Sequence, residues 1–162
     1  MTGEQRAKRG GITIRLARDE ADLALMLDLG RVLHGESRYR DLPLDEARLK
    51  AAGRMGLAKG NPGLILAELN GELVGMAVVV AGEHFFSAAK AATVQLLYVA
   101  PAHRGGRAAI LLLRALRRWA AEAGAHDLHV NNTTAIDAAR TDRFLRKMGF
   151  AQTGGNYVLE GV

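Results

Sequence analysis

The sequence contains no cysteine. Disulfide frameworks, thiolate metal sites and cysteine nucleophiles are therefore excluded. Aromatic residues make up only 5% of the chain, too few for a platform that stacks nucleic-acid bases. No apolar run approaches the roughly 20 residues of a membrane-spanning helix. The N-terminal stretch MTGEQRAKRG lacks the apolar core of a secretion signal, so a soluble cytoplasmic protein is expected. The five histidines include no i, i+4 pair, and with no thiolate beside them they give no metal site. Gly-x-Ser-x-Gly is also absent, which argues against a serine hydrolase.

What is present is an ordinary globular composition. The chain has 162 residues, 49% hydrophobic and 24% charged, which fits one domain. Residues 1–10 are polar and mixed in charge and are expected to form a flexible tail, with a single domain over 11–162. Lys and Arg total 22 against 17 Asp and Glu, a formal charge of +5. An excess of that size suits a phosphate-bearing ligand and does not alone argue for nucleic acid. A solvated Arg-rich surface explains it equally well.

Hydrophobic spacing gives the order β-α-α-β-β-β-α-β-α-β-β. Ile12–Leu16 alternates as a strand. Asp19 can cap a helix through Leu23, Met26, Leu27 and Leu33, and the polar stretch His34–Arg40 breaks the pattern. Pro43 and Asp45 start a second helix, which Gly60 stops. Gly63–Leu69 and Glu72–Val80 flank Asn70-Gly71, a strong hairpin signal. A loop with Gly82, Glu83 and His84 leads to an apolar strand at Thr93–Val99. A helix over about 107–123, a strand at Asp127–Val130 and a helix from the Thr134/Asp137 caps to Met148 follow. Phe150–Thr153 and Asn156–Glu160 read as a closing hairpin. The fold class is α+β, with a mainly antiparallel sheet.

The stretch Leu97-Tyr98-Val99-Ala100-Pro101-Ala102-His103-Arg104-Gly105-Gly106-Arg107-Ala108-Ala109 carries the chemistry. An apolar strand ends at Pro101, and two glycines and two small residues open a helix. Unpaired N–H groups and the helix dipole make such a start an anion site. Glycine lets the backbone approach a phosphate closely. Five arginines and no acid lie between Val99 and Ala121. A plain strand-to-helix turn, with glycine for geometry and arginine for solubility, is the competing reading of the glycine pair alone.

These residues resemble the GNAT superfamily of N-acetyltransferases. Its strand, Val-x-Pro, Arg-Gly-x-Gly-x-Gly/Ala and Leu-rich helix match Val99, Pro101, Arg104, Gly105, Ala109 and Leu111-Leu112-Leu113. The helix end Lys147-Met148-Gly149-Phe150 matches a second family marker. The polar stretch around His34–Tyr39 is similar to phage and prophage members. The resemblance implies a GNAT-like mixed sheet and acetyl-CoA as acyl donor. Its pyrophosphate would lie on His103, Arg104, Gly105, Gly106, Arg107, Ala108 and Ala109, and its pantetheine along Leu97, Tyr98 and Val99. It also implies a β-bulge that splays this strand from the next. The reaction implied is direct transfer to a small-molecule or peptide amine through a tetrahedral intermediate. Family members often pair through their last strands, so a homodimer is expected.

Three departures stand out. In strict register Arg107 replaces the second motif glycine, although a one-residue slip brings His103, Gly106 and Ala108 into register. Leu145 stands where the family often has an acidic Tyr, and Ala138 where it has Asn. Gln95 stands where a Glu base is common. The candidates for acid and base are therefore Glu36, Glu83 and Tyr157, each of which also reads as a surface or packing residue. His34 and His84 carry weaker claims, and His126 and His129 read as structural. A non-catalytic acyl-CoA-binding module of the same fold stays open.

Overall fold

The computed structural model describes residues 11–162; the expected tail at 1–10 lies outside the described residues. The elements are β1 (Ile12–Leu16), α1 (Glu20–Glu36), α2 (Glu46–Lys59), β2 (Gly63–Leu69), β3 (Glu72–His84), β4 (Ser87–Val99), α3 (Ala108–Glu122), β5 (Ala125–Val130) and α4 (Ala138–Lys147). A short 3-10 turn at Pro101–His103 joins β4 to α3. The five strands form one sheet in the order β1-β2-β3-β4-β5. All neighbours are antiparallel except β4 and β5, which run parallel with α3 as the crossover. Among the described residues, no helix is long and apolar enough to cross a membrane.

Local chemistry sets most boundaries. The Asp19 side chain accepts from the Asp22 N–H to start α1, and Asp45 accepts from Arg48 N–H to start α2. Gly60 ends α2 in the left-handed conformation, at φ 69°. Asn70 and Gly71, at φ 53° and 83°, make the tight turn between β2 and β3. Both sheet faces are covered. α3 buries Ala108, Leu112, Leu113, Leu116 and Ala120 against Ile65, Ala67, Val74, Ala77, Val79 and Val94. α1 buries Leu23 and Met26 against Leu64, Leu66 and Met76 on the other face. Arg15 ties β1, α1 and β2 together by donating to Asp22 at 2.7 Å and Glu68 at 2.6 Å.

Four sequence expectations are corrected. His34–Glu36 do not break α1; they form its last turn, and the chain leaves at Ser37. There the buried Ser37 hydroxyl donates to His34 O and accepts from Tyr39 N–H, turning the backbone locally. Gly82, Glu83 and His84 belong to β3, because the β3–β4 ladder continues to His84↔Ser87. The closing hairpin does not form: residues 150–162 carry neither helix nor strand, and β5 is the sheet edge. His126 and His129 are exposed on β5 and do not pack.

Candidate active site

The β3–β4 ladder slips one residue between Val78↔Leu96 and Val79↔Val94, leaving Gln95 unpaired as an exposed bulge. The pairing of β4 with β5 ends at the same place, with Val94↔Val130 as its last pair. Beyond it β4 has β3 on one side and an open edge on the other. The Ala100 N–H donates to Val74 O on β3 at 2.9 Å. Strand alternation therefore turns the N–H and C=O of Val99 and of Leu97 toward the open edge. A single bulge thus exposes backbone donors and acceptors ready to take an extended, amide-bearing ligand as an added strand.

At the end of that edge the chain turns through Pro101–His103 into Arg104-Gly105-Gly106-Arg107 and then α3. Gly105 takes φ 81°, a conformation that costs glycine nothing. No side chain caps α3. The first helical bond at this end runs from Leu111 N–H to Arg107 O. Among the described residues, the N–H groups from Gly105 to Ile110 meet no protein acceptor. The buried Ala108 and half-buried Ala109 leave the helix start open. With the dipole of a 15-residue helix behind them, these donors suit a phosphate. Arg107 is exposed on the loop. A Cβ built on Gly105 would lie 3.5 Å from Arg140 Nη2, so α4 brings a further cation to the same place. Arg140 was missed in the sequence because only the α4 packing carries it there.

Glu36 reaches this site from the end of α1. Arg104 grips it with both ends of its fork, Nη2 to Oε2 at 2.7 Å and Nη1 to Oε1 at 3.2 Å. The Tyr98 hydroxyl also donates to Glu36 Oε2. Arg104 Nε donates to Val99 O at 3.0 Å, and its guanidinium carbon sits 5.3 Å from the Tyr98 ring centre. The Arg104 pair, followed by the Tyr98 hydroxyl, holds the Glu36 carboxyl below its usual range. Burial, then the Glu36 hydrogen bond, pushes the Tyr98 phenol up to about 12. At neutral pH Glu36 is an anion with two partners, better suited to anchoring a cation than to taking a proton.

Among the described residues, neither of the other two acid–base candidates bonds to the Glu36–Arg104–Tyr98 cluster. Glu83 pairs with Lys90 in the outer half of the hairpin, whereas Gly75 pairs with Val99 beside the loop. Eight residues along β3 at ~3.3 Å each place Glu83 roughly 26 Å away. Tyr157 is 97% exposed in the irregular C-terminal segment. Arg38 donates to Glu160 at 2.9 Å, so that segment returns to the α1–α2 junction, with Tyr157 exposed three residues before Glu160. A recess lined by Lys59, Asn61, Lys90 and Trp119 opens at the opposite end of the sheet. The C-terminal ends of α2 and α3 border it. They present carbonyls, the wrong sign for phosphate.

The fold that positions these features has counterparts among known proteins. The chain belongs to the acetyltransferase (GNAT) family, whose model matches residues 27–150. No curated protein shows significant sequence similarity to the chain. Solved structures share the fold. The acetyltransferase AAC(6')-Iy, in complex with the bisubstrate analogue CoA-S-monomethyl-acetylneamine, is 17% identical, covering 94% of this chain and 99% of that one, with a TM-score of 0.73. A transcriptional regulator from Bacillus halodurans C-125 is 25% identical, covering 93% of this chain and 100% of that one, with a TM-score of 0.73. Ribosomal-protein-alanine N-acetyltransferase from Brucella melitensis biovar Abortus 2308 is 20% identical, covering 94% and 100%, with a TM-score of 0.70.

Proposed function

We propose that the protein transfers the acetyl group of acetyl-CoA directly to a cationic small-molecule or peptide amine. The observation that carries this reading is the meeting of the open β4 edge, the unpaired α3 amides and the Glu36 carboxylate in one place. In this reading the amides of Gly105–Ile110 hold the pyrophosphate, with Arg107 and Arg140 beside them. Leu97 and Val99 take the pantetheine amides along the edge, and the Leu97 N–H polarises the thioester oxygen. Glu36 anchors the ammonium of the acceptor. The amine nitrogen attacks the carbonyl carbon, the C–N bond forms, the C–S bond breaks, and the CoA thiolate leaves with the electron pair. Water takes one proton from the ammonium before attack, freeing the nitrogen lone pair, and a second after the C–N bond has formed, since the Gln95 amide is not basic and the ionised Glu36 is committed to anchoring the acceptor. A thiolate leaves readily, so the Tyr missing at Leu145 does not prevent turnover.

The acceptor structures named above act as guides to class: an aminoglycoside, as the AAC(6')-Iy analogue carries, or a protein N-terminus. We place the protein in the cytoplasm as a homodimer. The uncovered edge of β5 and the exposed Tyr157, Val158 and Leu159 support this pairing. The commitment of Glu36 to Arg104 and Tyr98 favours one alternative, a module that binds acyl-CoA without chemistry. Release of free CoA thiol from acetyl-CoA, measured over a panel of aminoglycosides, polyamines and N-terminal peptides, separates the two. Amine-dependent release supports transfer. Acetyl-CoA binding with no release from any amine supports the module.

A further inference from the structure

We infer that the Glu36–Arg104 pair is a latch, closed over the donor strand in the free protein and opened by the donor's phosphate. The inference rests on the acyl-donor reading above and adds how that site is controlled. All three guanidinium nitrogens of Arg104 are engaged, two on Glu36 and one on Val99 O. Arg104 precedes Gly105 directly, so it is the arginine adjoining the phosphate loop. Its fork nonetheless points away from the loop, toward the end of α1. The Val99 carbonyl it occupies is one of the acceptors on the open edge that an added strand needs. The closed pair therefore withholds a cation from the phosphate and an acceptor from the pantetheine at once.

The chemistry of the pair lets it open. Its side chains are 29% and 30% exposed, and ion pairs with that much water contact are weak. The donor's pyrophosphate offers Arg104 a bidentate partner, as a carboxylate does, with a second negative charge on the adjoining phosphoryl. Swinging Arg104 from Glu36 to the donor phosphate frees Val99 O for a pantetheine N–H. It also leaves Glu36 held only by the Tyr98 hydroxyl, with an oxygen available for an ammonium. Donor binding thereby prepares the acceptor anchor. Glu36 is in this sense a positioning residue that couples the two substrates.

The test is calorimetric titration of CoA into four proteins: wild type, Glu36→Gln, Arg104→Gln and the double variant, each shown to be folded by circular dichroism. Removing the competing carboxylate should tighten CoA binding by about three- to fivefold, the scale of a part-exposed ion pair. In the Arg104→Gln background the same change should give no gain, since the competition is for Arg104. Unchanged or weaker binding by Glu36→Gln alone overturns the latch. A gain that persists without Arg104 also overturns it, because Glu36 is then only a nearby negative charge. Wild-type protein that does not bind CoA at all removes the donor reading itself, and the latch with it. For an amine found by thiol release, Glu36→Gln should raise its KM while CoA binds more tightly, a split that a merely structural Glu36 would not produce.

Discussion

Gly106→Val isolates the phosphate loop from the fold. Gly106 does not have a positive φ. A Cβ built there meets only His103 O, at 3.5 Å, an ordinary contact. The residue is exposed, so stability should change by no more than about 0.5 kcal/mol. Gly105 offers no such separation. Its φ of 81° strains any side chain, and its Cβ would meet Arg140. A branched side chain at 106 stands among the N–H groups from Gly105 to Ile110, which have no protein acceptor among the described residues. A hydrogen bond to a charged group contributes about 1.5–3 kcal/mol, so excluding a phosphate from even one donor weakens binding roughly 10- to 100-fold. Calorimetric titration of CoA into a variant with an unchanged melting temperature measures this. Unchanged CoA affinity would refute the loop as the phosphate site.

Two predictions concern the scaffold. Gly56→Ala on the buried side of α2 would place a Cβ 2.6 Å from the Pro62 carbonyl oxygen and 2.9 Å from Leu64 Cδ1; the backbone atom cannot yield, so denaturant unfolding should show a loss of about 1–3 kcal/mol. Asp22 is held below its usual range chiefly by the Arg15 hydrogen bond. A carboxyl with a depressed folded-state value contributes stability above its unfolded value, and that contribution is lost as pH falls through the folded one. Wild type should therefore lose stability below about pH 4 more steeply than Asp22→Asn, and parallel pH curves for the two would contradict that role for the pair.

Much of the architecture was legible because local rules and burial agree. Asn70-Gly71, Gly60 and the Asp19 and Asp45 caps act through neighbours in sequence, and each ends or starts the element expected of it. The Leu112, Leu113, Leu116 and Ala120 stripe is the buried face of α3, as its spacing indicates. The outer half of the β3–β4 hairpin was not legible. Residues 81–84 and 87–91 bury little, so backbone pairing extends the strands without a hydrophobic pattern to announce it. Gly35 and Glu36 look like a helix break, yet they form the last turn of α1, where Gly35 is exposed and Glu36 is held by Arg104 and Tyr98. The hairpin expected over 150–160 follows from alternation around Gly154-Gly155, but alternation forms no strand where no partner edge receives it. At the site, the loop was readable because strand, glycines and helix are contiguous. Glu36 was singled out for its polar setting, but its partner Arg104 lies 68 residues away, a contact that no spacing rule reaches. Arg140 is hidden for the same reason.

The most direct test of the account is a crystal structure with CoA bound. Its pyrophosphate should lie on the amides of Gly105–Ile110, its pantetheine should run antiparallel or parallel along the open edge at Leu97–Val99, and Arg104 should have turned from Glu36 to phosphate. CoA found instead in the recess of Lys59, Lys90 and Trp119 at the far end of the sheet, with the β4 edge empty, would contradict it.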